Sequence, residues 1–234
     1  MSEKNVNAEQ PGRRFVLRAT YIERDRLALL SHLEVAHALE RTVRRAGLPF
    51  AISQGFSPHM KIAFGAALPV GVGSTCEIFD IQLREYVPAD KALAALKAAS
   101  VRDLMVQDAY YIDSHAKAAS VAYPVSVYEV EFSRAPGSLP VPQDIVRIRR
   151  KKEKVFHVAD HLVEPIMFDE ERPEVAHFAL EAHDTGALRA DLLMQECLKL
   201  YNDALPEGEP ALTTVSITRV AQRENAWGSA RIAS

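Results

Sequence analysis

The sequence predicts an α+β fold of two tandem ferredoxin-like (split βαβ) units with antiparallel sheets, the second with a reduced first helix. Three observations predict it. Residues 14–113 run strand, helix, strand, strand, helix, strand, the order of a split βαβ unit. Apolar residues recur every second position in the strands and every third or fourth in the helices. Residues 125–222 repeat part of that order after a stretch of small residues.

Taken in order, Phe15, Leu17, Ala19 and Tyr21 alternate with Val16, Arg18 and Thr20, a strand by period and residue type. Glu23 to Arg26 is a polar turn. Ser31 and Glu34 have the spacing of a capping box, with Leu30 and Val35 in staple positions. Leu33, Ala36, Leu39, Val43 and Ala46 then form the apolar stripe of a helix that Gly47 and Pro49 end. Ser53 to His59 is a loop by its Gly and Pro content, and Lys61 to Leu68 reads as a strand. Val70 to Ser74 is a turn, and Glu77 to Arg84 alternates as the next strand. Pro88 to Ser100 is the second helix, with Ala89, Ala92, Leu93, Leu96 and Ala99 inward. Asp103 to Asp113 closes the unit.

Residues 114–124 read as a linker. Beyond it, Val125 to Phe132 is a strand, Arg134 to Pro142 is a Pro–Gly loop where the first half has a helix, and Ile145 to Ala159 is a long basic strand or hairpin. Val175 to His183 is a strand, Leu188 to Asp203 a helix with Leu192, Leu193, Cys197 and Leu200 inward, and Thr213 to Ala221 the last strand. Residues 1–13 are expected to be a disordered lead-in and 223–234 a loose tail onto which Trp227 can dock.

Composition limits the function. The net charge is −3, from 28 basic and 31 acidic side chains, so any nucleic-acid contact must be a local patch. Cys76 and Cys197 are too few for a disulfide framework and lack metal-ligand spacing. MSEKNVNAEQPGRR has no apolar centre of a signal peptide, and no apolar run reaches the roughly 20 residues of a membrane helix. A soluble, cytoplasmic protein without a membrane partner is expected.

Two basic regions are the site candidates. The first joins Arg41, Arg44 and Arg45 on the polar helix face to Ser53, Gln54, Gly55, His59 and Lys61 of the loop that follows. Gly55 allows close backbone approach, and the cations suit a phosphate, Arg bidentately and Lys as a point charge. The bland reading is a solvated helix face, with Glu40 pairing to Arg44, and a plain connecting loop. The second region is Arg147, Arg149, Arg150, Lys151, Lys152 and Lys154. As one strand it would put Arg147, Arg149 and Lys151 on one face and Arg150, Lys152 and Lys154 on the other, a track for a phosphate backbone or a charge-protected edge strand. Ser31-His32 is no nucleophile–base pair, because Ser31 already caps a helix. Glu77 and Asp80 face opposite sides of one strand. The histidines are scattered, and no metal site is expected.

The stretch SHLEVAHALERTVRRAGLPFAISQGFSPHMKIAF, with LPVGVGS and EIFDIQL, resembles the radical-SAM-linked protein family, a bacterial domain of unknown function found beside or fused to B12-binding radical SAM proteins. The second half matches more loosely, around VRIRRKKEKVFHV and LRADLLMQECL, and is shortened between Phe132 and Asp144. The resemblance implies partnership with a radical SAM protein, sometimes in a neighbourhood that includes ribonuclease G. It implies no known activity. The chain lacks a Cys-x3-Cys-x2-Cys motif, so no iron–sulfur cofactor is expected on it. Three functions follow as expectations: a non-catalytic RNA-binding or substrate-presenting partner of that enzyme; an enzyme on RNA or a phosphorylated small molecule with His59 as acid or base; and a pure docking scaffold.

Overall fold

The computed structural model describes residues 15–149 and 152–225. The expected lead-in, Arg150, Lys151, Trp227 and most of the expected tail lie outside the described residues. The fold is mixed α+β, a mostly antiparallel sheet with few helices.

The first half contains β1 (Phe15–Glu23), α1 (His32–Arg45), β2 (Ile62–Phe64), β3 (Gly73–Leu83), α2 (Ala89–Ala99) and β4 (Val106–Ile112). A short helix, α3 (Ala119–Ala122), leads into the second half. There β5 (Val125–Phe132), β6 (Asp144–Arg149), β7 (Lys152–His157), α4 (Val158–His161), β8 (Leu162–Phe168), β9 (Val175–Glu181), α5 (Ala190–Asp203) and β10 (Thr214–Arg223) follow. One 8-stranded sheet holds both halves, in the order β4-β1-β3-β10-β5-β9-β8, with β2 also on β3. All its pairings are antiparallel except β3 with β10. Among the described residues, strands β6 and β7 pair only with each other.

Helix α1 starts as its sequence dictates. The Ser31 hydroxyl accepts from the Glu34 backbone N–H, and the Glu34 carboxylate accepts from the Ser31 N–H at 2.8 Å. Its buried stripe is Val35, Leu39, Thr42 and Val43; Leu33 is 63% exposed and does not join it. The Thr42 hydroxyl can be buried because it donates to the Ala38 carbonyl at 3.1 Å. This stripe and Ala92 and Leu96 of α2 pack on Leu17, Ala19, Tyr21, Phe79 and Ile81, one face of the first-half sheet. A second core joins Tyr128, Val130, Phe178 and Leu180 to Leu193, Met194 and Cys197 of α5, with Ile145 and Phe156 from the root of the β6–β7 hairpin.

Several expectations change. The strand foreseen over Lys61–Leu68 is only Ile62–Phe64; the chain then leaves the sheet, and Leu68 packs against the second core. Gly73 and Ser74 are not turn residues but open β3 and face β10. Leu200 is exposed, and the inward face of α5 is Ala190, Leu193, Met194 and Cys197, with Tyr201 packed beside them. Strand β8 is one that sequence periodicity does not predict. It contains Pro165, which a sheet accepts at an edge, and β8 is the edge. Residues 114–124 do more than link: Ala119 and Tyr123 are buried over β3, and Ile78 packs with them.

Candidate functional site

The structure does not gather the first basic set into one pocket. The Arg45 guanidinium donates to the Ala99 carbonyl at 2.6 Å and so caps the end of α2. Arg44 is 3.9 Å from Glu40 and lies over the Phe50 ring at 5.2 Å. Arg41 is exposed and has no ion pair among the described residues. Lys61 lines an open groove of about 310 Å³ with Val16, Asp80 and Gln82. These residues lie on the sheet face away from α1, because Ile62 and Ile81 point into the helix-side core and their neighbours point the other way. Lys61 and the α1 arginines therefore face different sides.

The loop between them is closed by its first and last residues. The Ser53 N–H donates to the His59 carbonyl at 2.8 Å, and the Ser53 hydroxyl accepts from the His59 N–H at 3.0 Å and meets Nδ1 at 2.9 Å. Gly55 has φ +140°, which lets the tip reverse, and Phe56 stands fully exposed there. Gln54 sits beside Gly55 in this tip. The His59 ring has its contacts in Ser53 and the Ser57 carbonyl rather than in a carboxylate.

The second basic region is a hairpin, not one strand. Arg147 stands opposite Lys154, and Arg149 opposite Lys152. Chain reversal therefore puts Arg147 and Lys154 on one face, which a single strand would have separated. Arg149 is placed by its backbone register alone. Lys154 donates to the Thr185 carbonyl and lies over the Phe156 ring at 4.7 Å. The other face presents Val146, Ile148 and Val155, of which Ile148 is 72% exposed.

Sequence reasoning missed the buried charges. On the face away from α1, Arg18 binds Asp80 bidentately at 2.7 and 2.8 Å and also donates to the Lys117 carbonyl at 3.0 Å. Tyr123 covers this pair, its ring centroid 5.5 Å from the guanidinium. On the α1 face, the Arg219 guanidinium of β10 donates to Glu77 of β3 at 2.8 Å and to the Ala66 carbonyl at 3.0 Å. It also reaches the Tyr128 hydroxyl at 3.3 Å. Glu23 lies beside Glu77 without a hydrogen bond among the described residues. Burial and then the Glu77 charge push its carboxyl up to about 7, against a smaller opposite pull from Arg219. Tyr21, Glu23, His32, Phe64 and Glu77 line a crevice of about 10 Å³ between the start of α1 and loop 65–68. An Arg inside each of two apolar strands, FVLRAT and SITRVA, was the available signal.

The remaining nucleophiles are inert. Cys76 and Cys197 are free and buried, and burial pushes their thiols up to about 11 and about 12. Among the described residues no His, Cys, Asp and Glu group has the geometry to hold a metal ion, and no helix is long and apolar enough to cross a membrane.

Comparison with known proteins gives one family. A family model described as an uncharacterized protein conserved in bacteria (DUF2344) matches residues 16–170. No curated protein matches the chain.

Proposed function

The chain belongs to the DUF2344 family of uncharacterized proteins conserved in bacteria, and from that premise we propose that it is a non-catalytic RNA-binding or substrate-presenting partner of a radical SAM enzyme in the cytoplasm. The two halves are read as tandem ferredoxin-like units: β4-β1-β3-β2 and β10-β5-β9-β8 are the same strand order, with the β6–β7 hairpin where the second unit's first helix would lie.

One observation carries the reading. The β6–β7 hairpin is a two-stranded arm outside the main sheet, with Arg147 and Lys154 on one face and four consecutive cations, Arg149 to Lys152, in the sequence that joins its strands. Such an arm offers cations to a phosphate backbone and few groups that read bases. The apolar side, with Val146, Ile148 and Val155, suits a protein surface. The resemblance noted above names a radical SAM protein as that partner. Arg41 and Arg44 extend the cationic surface elsewhere, and Lys61 lies on a different face.

Filter binding of a structured RNA at rising salt tests this. Binding at low salt should weaken steeply, and Arg147→Ala, Arg149→Ala and Lys151→Ala should each lower the salt slope by about one. No binding at low salt, or an affinity unchanged in the triple variant, overturns the RNA reading. Co-purification with a radical SAM protein but no nucleic acid would leave the docking scaffold in its place.

A further inference from the structure

The crevice beside α1 holds a charge imbalance. Glu23 and Glu77 bring two carboxylates, and Arg219 one guanidinium whose donors are already directed to Glu77, the Ala66 carbonyl and the Tyr128 hydroxyl. Glu23 and Tyr21 are 4% and 3% exposed, yet neither the carboxylate nor the phenol hydroxyl has a hydrogen-bond partner among the described residues. Both line the crevice. Their oxygens have no protein partner among the described residues yet are not sealed from solvent, so a group that enters the crevice can reach them.

The lining also limits what can enter. The volume, about 10 Å³, admits one water-sized group. Once Glu23 is ionised the surplus charge is negative, so the group is a cation that competes with a proton there. The Phe64 ring, met edge-on by exposed His32 at 5.4 Å, forms a wall that suits a cation rather than an anion. Glu23, Glu77 and Tyr21 all line the crevice and carry oxygen acceptors, and a primary ammonium has three N–H donors and no acceptor. A guanidinium is too wide for this space, and a trimethylated amine has no donors.

We propose that this crevice is a receptor for a primary ammonium group, held by Glu23, Glu77 and the Tyr21 hydroxyl oxygen. The group is the tip of a lysine on a macromolecular partner or a free small amine; the recognition chemistry is the same. The site is independent of the cationic arm and does not rest on RNA binding.

NMR titration of the intact protein with methylammonium tests it, read at the His32 and Phe64 rings and the Glu23 side-chain carboxyl. Saturable shifts with a Kd in the millimolar range are expected, since a ligand of two heavy atoms can contribute little more. Tetramethylammonium and potassium at equal concentration should leave the signals unmoved. Glu23→Gln and Tyr21→Phe should each weaken binding about ten-fold, with the backbone spectrum reporting that both variants fold; Glu23→Asp serves if either does not. Binding should tighten from pH 6 to pH 8, because a proton on Glu23 competes with the cation. The other groups that face it are Tyr21, His32, Glu77 and Arg219. Nα-acetyl-lysine methylamide binding as well as methylammonium assigns a lysine tip; methylammonium alone assigns a free amine. Linear shifts, an equal response to potassium, or undiminished binding in both Glu23 variants overturns the proposal.

Discussion

Replacing Glu23 by Gln should remove a specific pH dependence from the stability of the fold. An exposed glutamate loses its proton near 4.5, whereas the Glu23 carboxyl, buried beside Glu77, is raised to about 7. Between those values the folded chain holds a proton that the unfolded chain has released. Folding therefore takes up a proton, and stability falls as pH rises through this window. The contribution is fully present below about 4.5, and is lost once the pH passes about 7. One pKa unit is worth about 1.4 kcal/mol, so the loss is roughly 3 kcal/mol. In a chain of this size that is about 6–12 °C in Tm. Glu23→Gln should match the parent near pH 5 and exceed it by up to that amount at pH 8. Urea or thermal unfolding of both proteins from pH 5 to 8 measures the difference, which cancels every other titrating group. Parallel curves would refute the reasoning, as would a Glu23 carboxyl titrating near 4.5 by NMR.

Two further substitutions probe the local physics. Arg18→Met leaves the Asp80 carboxylate buried under Tyr123 with its guanidinium gone, and should cost about 3–5 kcal/mol in chemical denaturation. The double variant Arg18→Met/Asp80→Leu should recover most of that loss, because apolar residues of similar volume need no counter-charge. Ser31→Ala removes the side-chain half of the capping box and should cost about 1 kcal/mol in the same assay, with the m-value unchanged.

Local rules made much of the fold legible. The capping box of α1, the span of α2 and strands β1, β5 and β9 follow from periodicity and from end signals a few residues long. Failures arose where partners distant in sequence decide. Leu33 has the spacing of a core residue, but the stripe that faces β1 and β3 starts at Val35. The reversal between Arg149 and Lys152 exchanges the faces of the basic run, and only the register of β6 with β7 shows this. Glu23 read as part of a turn. Its raised pKa comes from burial and then from Glu77, more than fifty positions away, against a smaller opposite pull from Arg219 near the other end of the chain.

The same long-range contacts explain how the two halves hold one sheet. Among the described residues, β3 and β10 pair through two positions, Thr218 with Gly73 and Arg219 with Ser74. Apolar alternation over so short a contact specifies register weakly. Polar groups supply the missing specification. The Ser74 hydroxyl donates to the Arg219 carbonyl at 3.2 Å, Gln222 donates to the Cys76 carbonyl at 2.6 Å, and Arg219 joins β3, loop 65–68 and β5 through Glu77, Ala66 and Tyr128. A slip of one residue would turn Arg219 to the other face and strand Glu77 and Glu23 as two buried, unpaired carboxylates. Burying those ions contributes little net stability, but it makes the wrong register costly. The unshared carboxylate of Glu23 is then a consequence of the seam, and it is what gives the crevice its affinity for a cation.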